Sequence, residues 1–418
     1  MARDSLWFHR DFRRLWAGDT VSQFSTFVSI TVLQLLAVTV LAANPFEMGL
    51  LTAAEHAAFL LIGLPAGVWV DRMRRKPLMV GADLARGLLL LSVPFAWWAG
   101  VLTLTQLLVV ALLVGVCTLF FDVAYQSYLP FLVGRVNLVE GNAKLQASQS
   151  VAHVTGPGIG GALAQLAGAA NAVLAAGIGY LASAALLLRI RVQEPTPERA
   201  AHRNLRAEIA EGLRFVFGNT TLRAITLCTA TGNFAGGAYA ALQVLFLTRE
   251  LGLPAAGVGL VLAISGVGGI LGAFTASWWS RRIGQARAVW LVPLVTWPAQ
   301  LLVPLAVPGW RVGIAVAGLV IVSYGIIVYN VAQVSFRQAI CPDRLLGRMN
   351  ASVRSVVWGA MPLGSLLGGV LGEWLGVRGG VWVATAGMSL AVLWVLFSPL
   401  RSMRDLPSSE EEPVTAPN

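Results

Sequence analysis

Within the ten residues from Gly67 to Lys76 stand one carboxylate, Asp71, and four cations, Arg72, Arg74, Arg75 and Lys76. Charges packed this densely into one turn can make several contacts at once. The acid can accept hydrogen bonds from the free N–H groups that begin a helix, where the dipole is positive, and the cations can pair with a distant carboxylate. Residues 346–350 would supply the helix start. Asp122, at the inner end of its own apolar run, is within reach of Arg72 or Arg75. Gly67 has no side chain and would let two helices approach closely. The candidate contact set is Gly67, Asp71, Arg72, Arg75, Lys76 and Asp122.

A second set of ionisable residues stands inside apolar runs, where each costs about 2.5–3.5 kcal/mol on insertion scales and is a functional candidate by default. Glu55 lies next to His56, about 8 Å below the outer end of its run at the rise of an α-helix, with no base on the same run. It is the candidate to take up a proton from outside. Asp83 and Arg86 are three residues apart on one helical face and can neutralise each other, which reads as scaffold before it reads as site. Asp19 is about one turn into the first run, shallow enough to be solvated or to pair with a loop arginine. His153 reads as hydrogen-bonded filler. Glu55, Asp83, Arg86 and Asp19 are the proton-coupling candidates.

Polar and aromatic residues near the middles of the runs outline a cavity: Phe24, Gln126, Gln149, Asn233, Tyr239, Gln243, Tyr324, Asn330 and Gln333. An apolar pocket with a few amides and phenols suits a bulky amphiphile better than a sugar or an inorganic ion, although such residues also bridge helices. The chain has no Walker loop, no His-Glu-x-x-His and no aspartate-rich pair, so neither ATP-driven nor hydrolytic chemistry is expected. Cys117, Cys228 and Cys341 have no metal spacing, and a disulfide framework is not expected. No enzyme activity, metal or cofactor is expected.

The elements that must position these residues are membrane helices. The chain has 418 residues, 56% hydrophobic and only 12% charged, with mean hydropathy +0.72; soluble domains carry about 25% charged residues. Apolar stretches long enough to cross about 30 Å of hydrocarbon recur along its length. Twelve spans are predicted, near 15–41, 49–70, 77–98, 103–126, 140–167 and 171–189, then 222–247, 257–280, 288–306, 311–336, 348–375 and 380–398. The net charge of +10 sits in short loops, as topology signals do, and argues against a nucleic-acid partner. Nearly all basic residues fall on one side of this arrangement, so both termini are expected in the cytoplasm. Residues 191–220 read as a linker ending in an amphipathic, interfacial helix, and 401–418 as a disordered cytoplasmic tail.

The two sets of six spans echo each other at an offset near 205–210. Ser150 and Pro157 correspond to Ser355 and Pro362, and Ser277-x-x-x-Arg281-Arg-Ile-Gly284 is a worn copy of the Gly67–Lys76 loop. That symmetry predicts a bundle from 1–190, a second from 221–400, and a site between them at the midplane.

Gly67-x-x-x-Asp71-Arg72-x-Arg74-Arg75-Lys76 resembles the loop 2–3 signature of the major facilitator superfamily, with Arg74 where that family usually has glycine. Gly156-Pro157-Gly158-Ile159-Gly160-Gly161 resembles the fifth-helix motif of its antiporter branches. Gly81-Ala-Asp83-Leu-Ala-Arg86, Phe121-Asp122-Val-Ala-Tyr125-Gln126-Ser-Tyr-Leu-Pro130 and Glu211-Gly-Leu-Arg-Phe-Val resemble its enterobactin-exporter and macrolide-efflux branch. The resemblance implies an all-α polytopic membrane protein, twelve transmembrane helices in two six-helix pseudo-symmetric bundles. It implies a latch that closes the inner gate, and an antiporter-type hinge at Gly156, Pro157, Gly160 and Gly161. It further implies a monomeric secondary transporter of the bacterial plasma membrane that exports a drug, siderophore or other amphiphile in exchange for protons, with small-molecule substrate and membrane lipid as its partners. Span four lacks the mid-helix arginine of the best-known drug–proton antiporters. An importer or lipid flippase on the same fold, or a non-transporting receptor, is the alternative.

Overall fold

In the computed structural model of the chain the described residues are 6–134, 137–192, 194, 205–342 and 345–404. Among them every regular element is helical. The first half holds α1 (Arg10–Thr39), α2 (Pro45–Leu61), α3 (Gly63–Asp71), α4 (Arg75–Trp98), α5 (Leu104–Val133), α6 (Leu138–Ala167) and α7 (Ala169–Leu188). After α8 (Leu205–Gly218) come α9 (Thr220–Leu245), α10 (Ala255–Ile283), α11 (Gln285–Thr296), α12 (Val312–Ile340), α13 (Leu346–Ala391) and the short α14 (Leu393–Leu396). Among the described residues seven helices are long and apolar enough to cross a membrane by length and composition. The expected tail lies outside the described residues from 405 onward, as does most of the linker before α8.

Caps explain where several helices begin. His9 accepts from the Phe12 N–H at 3.1 Å and starts α1 at Arg10, five residues ahead of the expected 15. Asn44 and Glu47 form a reciprocal capping box, each bond 2.8 Å, with Pro45 in the first turn. These two donors would otherwise be orphaned, and the box pulls the start of α2 back from 49 to 45. The expected second span is also not one helix, because it breaks at Ile62 (φ −130°, ψ 5°). The eleventh and twelfth expected spans separate at Gly376, whose φ of 75° interrupts α13 where a side chain would be strained.

The two halves meet along two antiparallel helix pairs. On α2 and α13, Gly49 faces Gly369, and Leu60 faces Gly359 farther along. On α6 and α10, Gly161 faces Gly259, and Val154 faces Gly266. A Cβ on Gly49 would lie 2.8 Å from Gly369 Cα, and one on Gly161 would lie 2.8 Å from Gly259 Cα. Both glycine contacts are at one face of the molecule, sealing it backbone to backbone. The opposite face carries the described chain ends: Asp11 binds the N–H groups of Arg191 and Val192, and Ala286 N–H donates to the Arg404 carbonyl.

The Gly156–Gly161 run is a two-sided packing surface in a helix that continues through Pro157. Gly156 lies against the Phe27 side chain and Gly160 against the Val28 carbonyl of α1, while Gly161 faces α10. Leucine at Gly161 is expected to force α6 and α10 about 1 Å apart. Overpacking costs about 1–3 kcal/mol, charged only to the state with this face sealed, so the population should shift roughly 5- to 150-fold toward opening there. The check is labelling of Gln149→Cys in a background without native cysteines. Labelling rates from each membrane side equal to those without the leucine would remove the seal from the account.

Candidate functional site

Between the seal and the face that carries the chain ends lies a cavity of 780 Å³, lined from α1, α2, α5 and α6 and, across the halves, from α13. Asp19, Asp122, Tyr125, Gln126 and Gln149 come from the first half, Arg354 and Trp358 from the second. Asn142, one turn inside α6, is also part of its wall, so the space reaches almost to that face. Phe59 stacks on Trp358, ring centres 5.5 Å apart, and Arg354 sits 6.0 Å over the Phe59 ring. The wall thus offers two acids, one base, several amides and three aromatic rings.

A narrower recess of 220 Å³ shares Gln23, Phe59, Asp122, Gln149 and Trp358 with this cavity and runs on to Glu55 and His56. Glu55 Oε2 accepts from the Gln34 amide at 3.4 Å, and its Oε1 is buried without a partner. Gly115 of α5 lets α2 come close here, since a Cβ on it would lie 2.5 Å from the Glu55 carbonyl.

Three acids lie deeper than the sequence places them, because their helices start earlier or end later. Glu55 is about 15 Å along α2 from Pro45, where the sequence places it about 8 Å from the end of its run. Asp19 is nine residues into α1, only 1% exposed, with the Gln23 amide at 3.5 Å as its partner. It is neither solvated nor bonded to a loop arginine. Asp122 is eleven residues before the end of α5 and faces the cavity, so it does not cap the inner end of its helix.

The Gly67–Lys76 turn is engaged differently from the expected latch. Glu194, after α7, accepts from the backbone N–H groups of Arg75 (2.6 Å) and Lys76 (3.2 Å) and from the Arg75 guanidinium (3.2 Å). It caps the first turn of α4, where a carboxylate complements the dipole. Lys76 Nζ donates to the carbonyls of Leu188 (3.2 Å) and Ile190 (2.5 Å) at the end of α7. Arg75 therefore pairs with Glu194 here and not with Asp122, and Arg72 is exposed. A Cβ on Gly67 would meet nothing within 4 Å. Instead of a close helix contact, a cavity of 290 Å³ separates Gly67 from Asn350 and Arg354 of α13. The Asp71 side chain lies outside the described residues.

Asp83 and Arg86 form a buried ion pair at 0% and 1% side-chain exposure. Asp83 also accepts from Ser183 (2.5 Å) and Ser22 (3.2 Å), and Arg86 donates to Ser22 (3.1 Å) and Thr118 (3.3 Å). The guanidinium lies over the rings of Phe121 and Tyr180, at 4.5 and 4.3 Å. One pair thus ties α1, α4, α5 and α7 together at the edge of the Glu55 recess.

Of the remaining candidates, Asn233, Tyr239 and Asn330 line a separate 260 Å³ cavity in the second half. Tyr324 is a helix bridge, accepting from Thr275 (2.8 Å) and Trp279 (2.5 Å) of α10. Phe24, Gln243 and Gln333 line none of the described cavities. The sequence reading missed Arg354, which the rule applied to Glu55 would have found, since Arg354 stands inside a predicted span. Glu194 carried no such signal.

A family model described as transmembrane secretion effector matches residues 7–418. The chain is 26% identical to the multidrug efflux pump Tap of Mycolicibacterium fortuitum over 87% of this chain and 90% of that protein. It is 24% identical to macrolide efflux protein A of Streptococcus pyogenes, over 94% and 97%. It is 27% identical to the enterobactin exporter EntS of Escherichia coli O1:K1 / APEC, over 78% of each. Among solved structures, the nucleoside transporter NupG aligns with TM-score 0.77 at 10% identity over 92% of this chain and 98% of that one. A bacterial homologue of the iron transporter ferroportin in its inward-facing state aligns with TM-score 0.76 at 15% identity, over 93% and 98%.

Proposed function

The chain belongs to the transmembrane secretion effectors, transporters of the major facilitator superfamily and not enzymes, and from that premise we propose that it exports an amphiphilic small molecule across the plasma membrane in exchange for protons. The observation that carries the proposal is the 780 Å³ cavity, walled by both halves, sealed toward one face and reaching the other. Its volume is that of a whole-ligand pocket, and its mixture of aromatic rings and amides suits an amphiphile. The efflux names of the relatives support the outward direction.

In this reading the helices form twelve spans in two six-helix bundles, residues 1–190 and 221–400, joined by the linker 191–220. Both termini are cytoplasmic and the monomer is the working unit. The sealed face is then the outer one, and this conformation is the one that loads cargo from inside. Glu55 at the end of the recess is the proton carrier, with Asp19 and Asp122 facing the cargo. The proton gradient takes the place of any cofactor. Residues Gly67–Lys76 re-engage α13 when the inner side closes.

Inside-out vesicles under an imposed proton gradient test it. A fluorescent amphiphile such as ethidium should accumulate only with the gradient and only when the protein is present. Gradient-dependent release in place of uptake would make the protein an importer, and no gradient-dependent flux for a panel of amphiphiles would defeat proton-coupled export of an amphiphile.

A further inference from the structure

The apolar residues at the end of α13 and in α14 fall on two faces. Ala391, Val392 and Val395 are buried in the core of the second half. Leu390, Leu393, Trp394 and Phe397 recur at three- and four-residue spacing, which puts them on one helical face. All four are exposed, Phe397 at 78%. They belong to a stretch long and apolar enough to cross a membrane or lie at its edge, so this face is one that meets lipid.

The face is not a flat wall. With Leu227 of α9 it borders a groove of 680 Å³ that runs from Thr220, in the first turn of α9, to Thr231. That length of helix is about 16 Å, close to half of the roughly 30 Å of hydrocarbon, so the groove has the depth of one leaflet. At its deep end Trp394 Nε1 donates to Thr231 Oγ1 at 3.1 Å, so these two polar groups satisfy each other and leave an apolar wall. At its mouth the chain leaves α14 through Ser398 and turns inward, with Leu400 fully buried.

The mouth carries a charge. Arg223, one turn into α9, lines it with Thr220 and Ser398. Its side chain is exposed, and among the described residues its guanidinium has no ion pair or hydrogen bond and no acid lines the groove. Pro399, also at the mouth, is close in sequence to Arg404, so the mouth lies at the face that carries the chain ends. An occupant must therefore pair one unopposed cation at the membrane surface and fill an apolar channel one leaflet deep. A zwitterionic headgroup brings its own cation beside the phosphate and gains little there, whereas an anionic one gains the full attraction. We propose that the groove holds an anionic phospholipid of the adjoining leaflet, one acyl chain lying along α9 and the phosphate at Arg223. The groove shares no residue with the large cavity, so this site is independent of the transport reading.

The test is native mass spectrometry of the full chain released from detergent micelles, titrated with dioleoyl phosphatidylglycerol or dioleoyl phosphatidylcholine. The first phosphatidylglycerol should bind about fivefold more tightly than the first phosphatidylcholine, the worth of one basic residue at a membrane surface. Arg223→Gln should bring the two lipids within about twofold of each other. Arg282→Gln removes the same charge from an exposed residue outside the groove and should keep the preference. Leu227→Trp fills the channel and should weaken both lipids by about fivefold or more, because the acyl chain loses its buried methylenes. Arg223 is exposed and Leu227 only partly buried, so both variants should stay monodisperse; should the tryptophan variant not fold, Arg223→Gln against Arg282→Gln still decides. Glycerol 1-phosphate, a headgroup without chains, should not bind measurably. Equal binding of the two lipids by wild type, or a preference that survives Arg223→Gln or is lost equally in Arg282→Gln, would overturn the site. So would undiminished lipid binding in Leu227→Trp, or glycerol 1-phosphate bound as tightly as the lipid, which would make it a site for a free anion.

Discussion

Glu55→Gln is expected to leave ligand binding within about twofold of wild type while proton-driven accumulation falls by about two orders of magnitude. The side chain ends a recess that is continuous with the large cavity, with one oxygen weakly held by Gln34 and the other unpartnered. Glutamine keeps the shape and can still meet Gln34, but it cannot gain or lose a charge. A charge at mid-membrane costs about 2.5–3.5 kcal/mol, which is the free energy that a proton arriving or leaving can put into a conformational equilibrium, close to a hundredfold. The helix that would feel it is α2, which carries Gly49 of the seal above Glu55 and Phe59, stacked on Trp358, one turn below. A single change of charge therefore acts on both ends of the contact between the halves. The measurement is vesicle accumulation with and without the gradient, beside ligand binding at equilibrium. Undiminished coupling in Glu55→Gln would move the proton to Asp19 or Asp122.

Much of this arrangement is legible in the sequence, and the parts that are not have physical reasons. The dense charges of Gly67–Lys76 mark a turn, and Asp83 and Arg86 at three-residue spacing mark a pair, because both depend on local geometry. The depth of Glu55 depends on a capping box, Asn44-x-x-Glu47, that hydropathy alone does not register. The expected span ends at 126, which puts Asp122 near a helix end, yet α5 continues to Val133. The glycines of Gly156–Gly161 announce a close approach without naming the neighbour; two different helices, α1 and α10, use opposite sides of them. Glu194 meets Arg75 across 119 residues, from a segment with no periodicity to predict its place.

Arg86→Ala is expected to cost about 3–5 kcal/mol, out of a stability that is typically about 5–15, and to leave little folded protein. The alanine strands the Asp83 carboxylate at 0% exposure with only Ser183 and Ser22 to satisfy it. It also removes the guanidinium from between the Phe121 and Tyr180 rings, so four helices lose their common contact. Removing one partner is the damaging change, because the uncompensated charge is what costs. The double variant Asp83→Asn, Arg86→Gln should therefore recover most of the loss, with both polar side chains still able to meet the serines. Monodispersity on size exclusion and the thermal midpoint in detergent read the outcome. If the single variant is as stable as wild type, the pair does not hold the bundle together, and its place at the edge of the Glu55 recess becomes its function. If instead the double variant folds and still couples export to protons, the pair is scaffold, and proton coupling rests on Glu55 with the cavity acids Asp19 and Asp122.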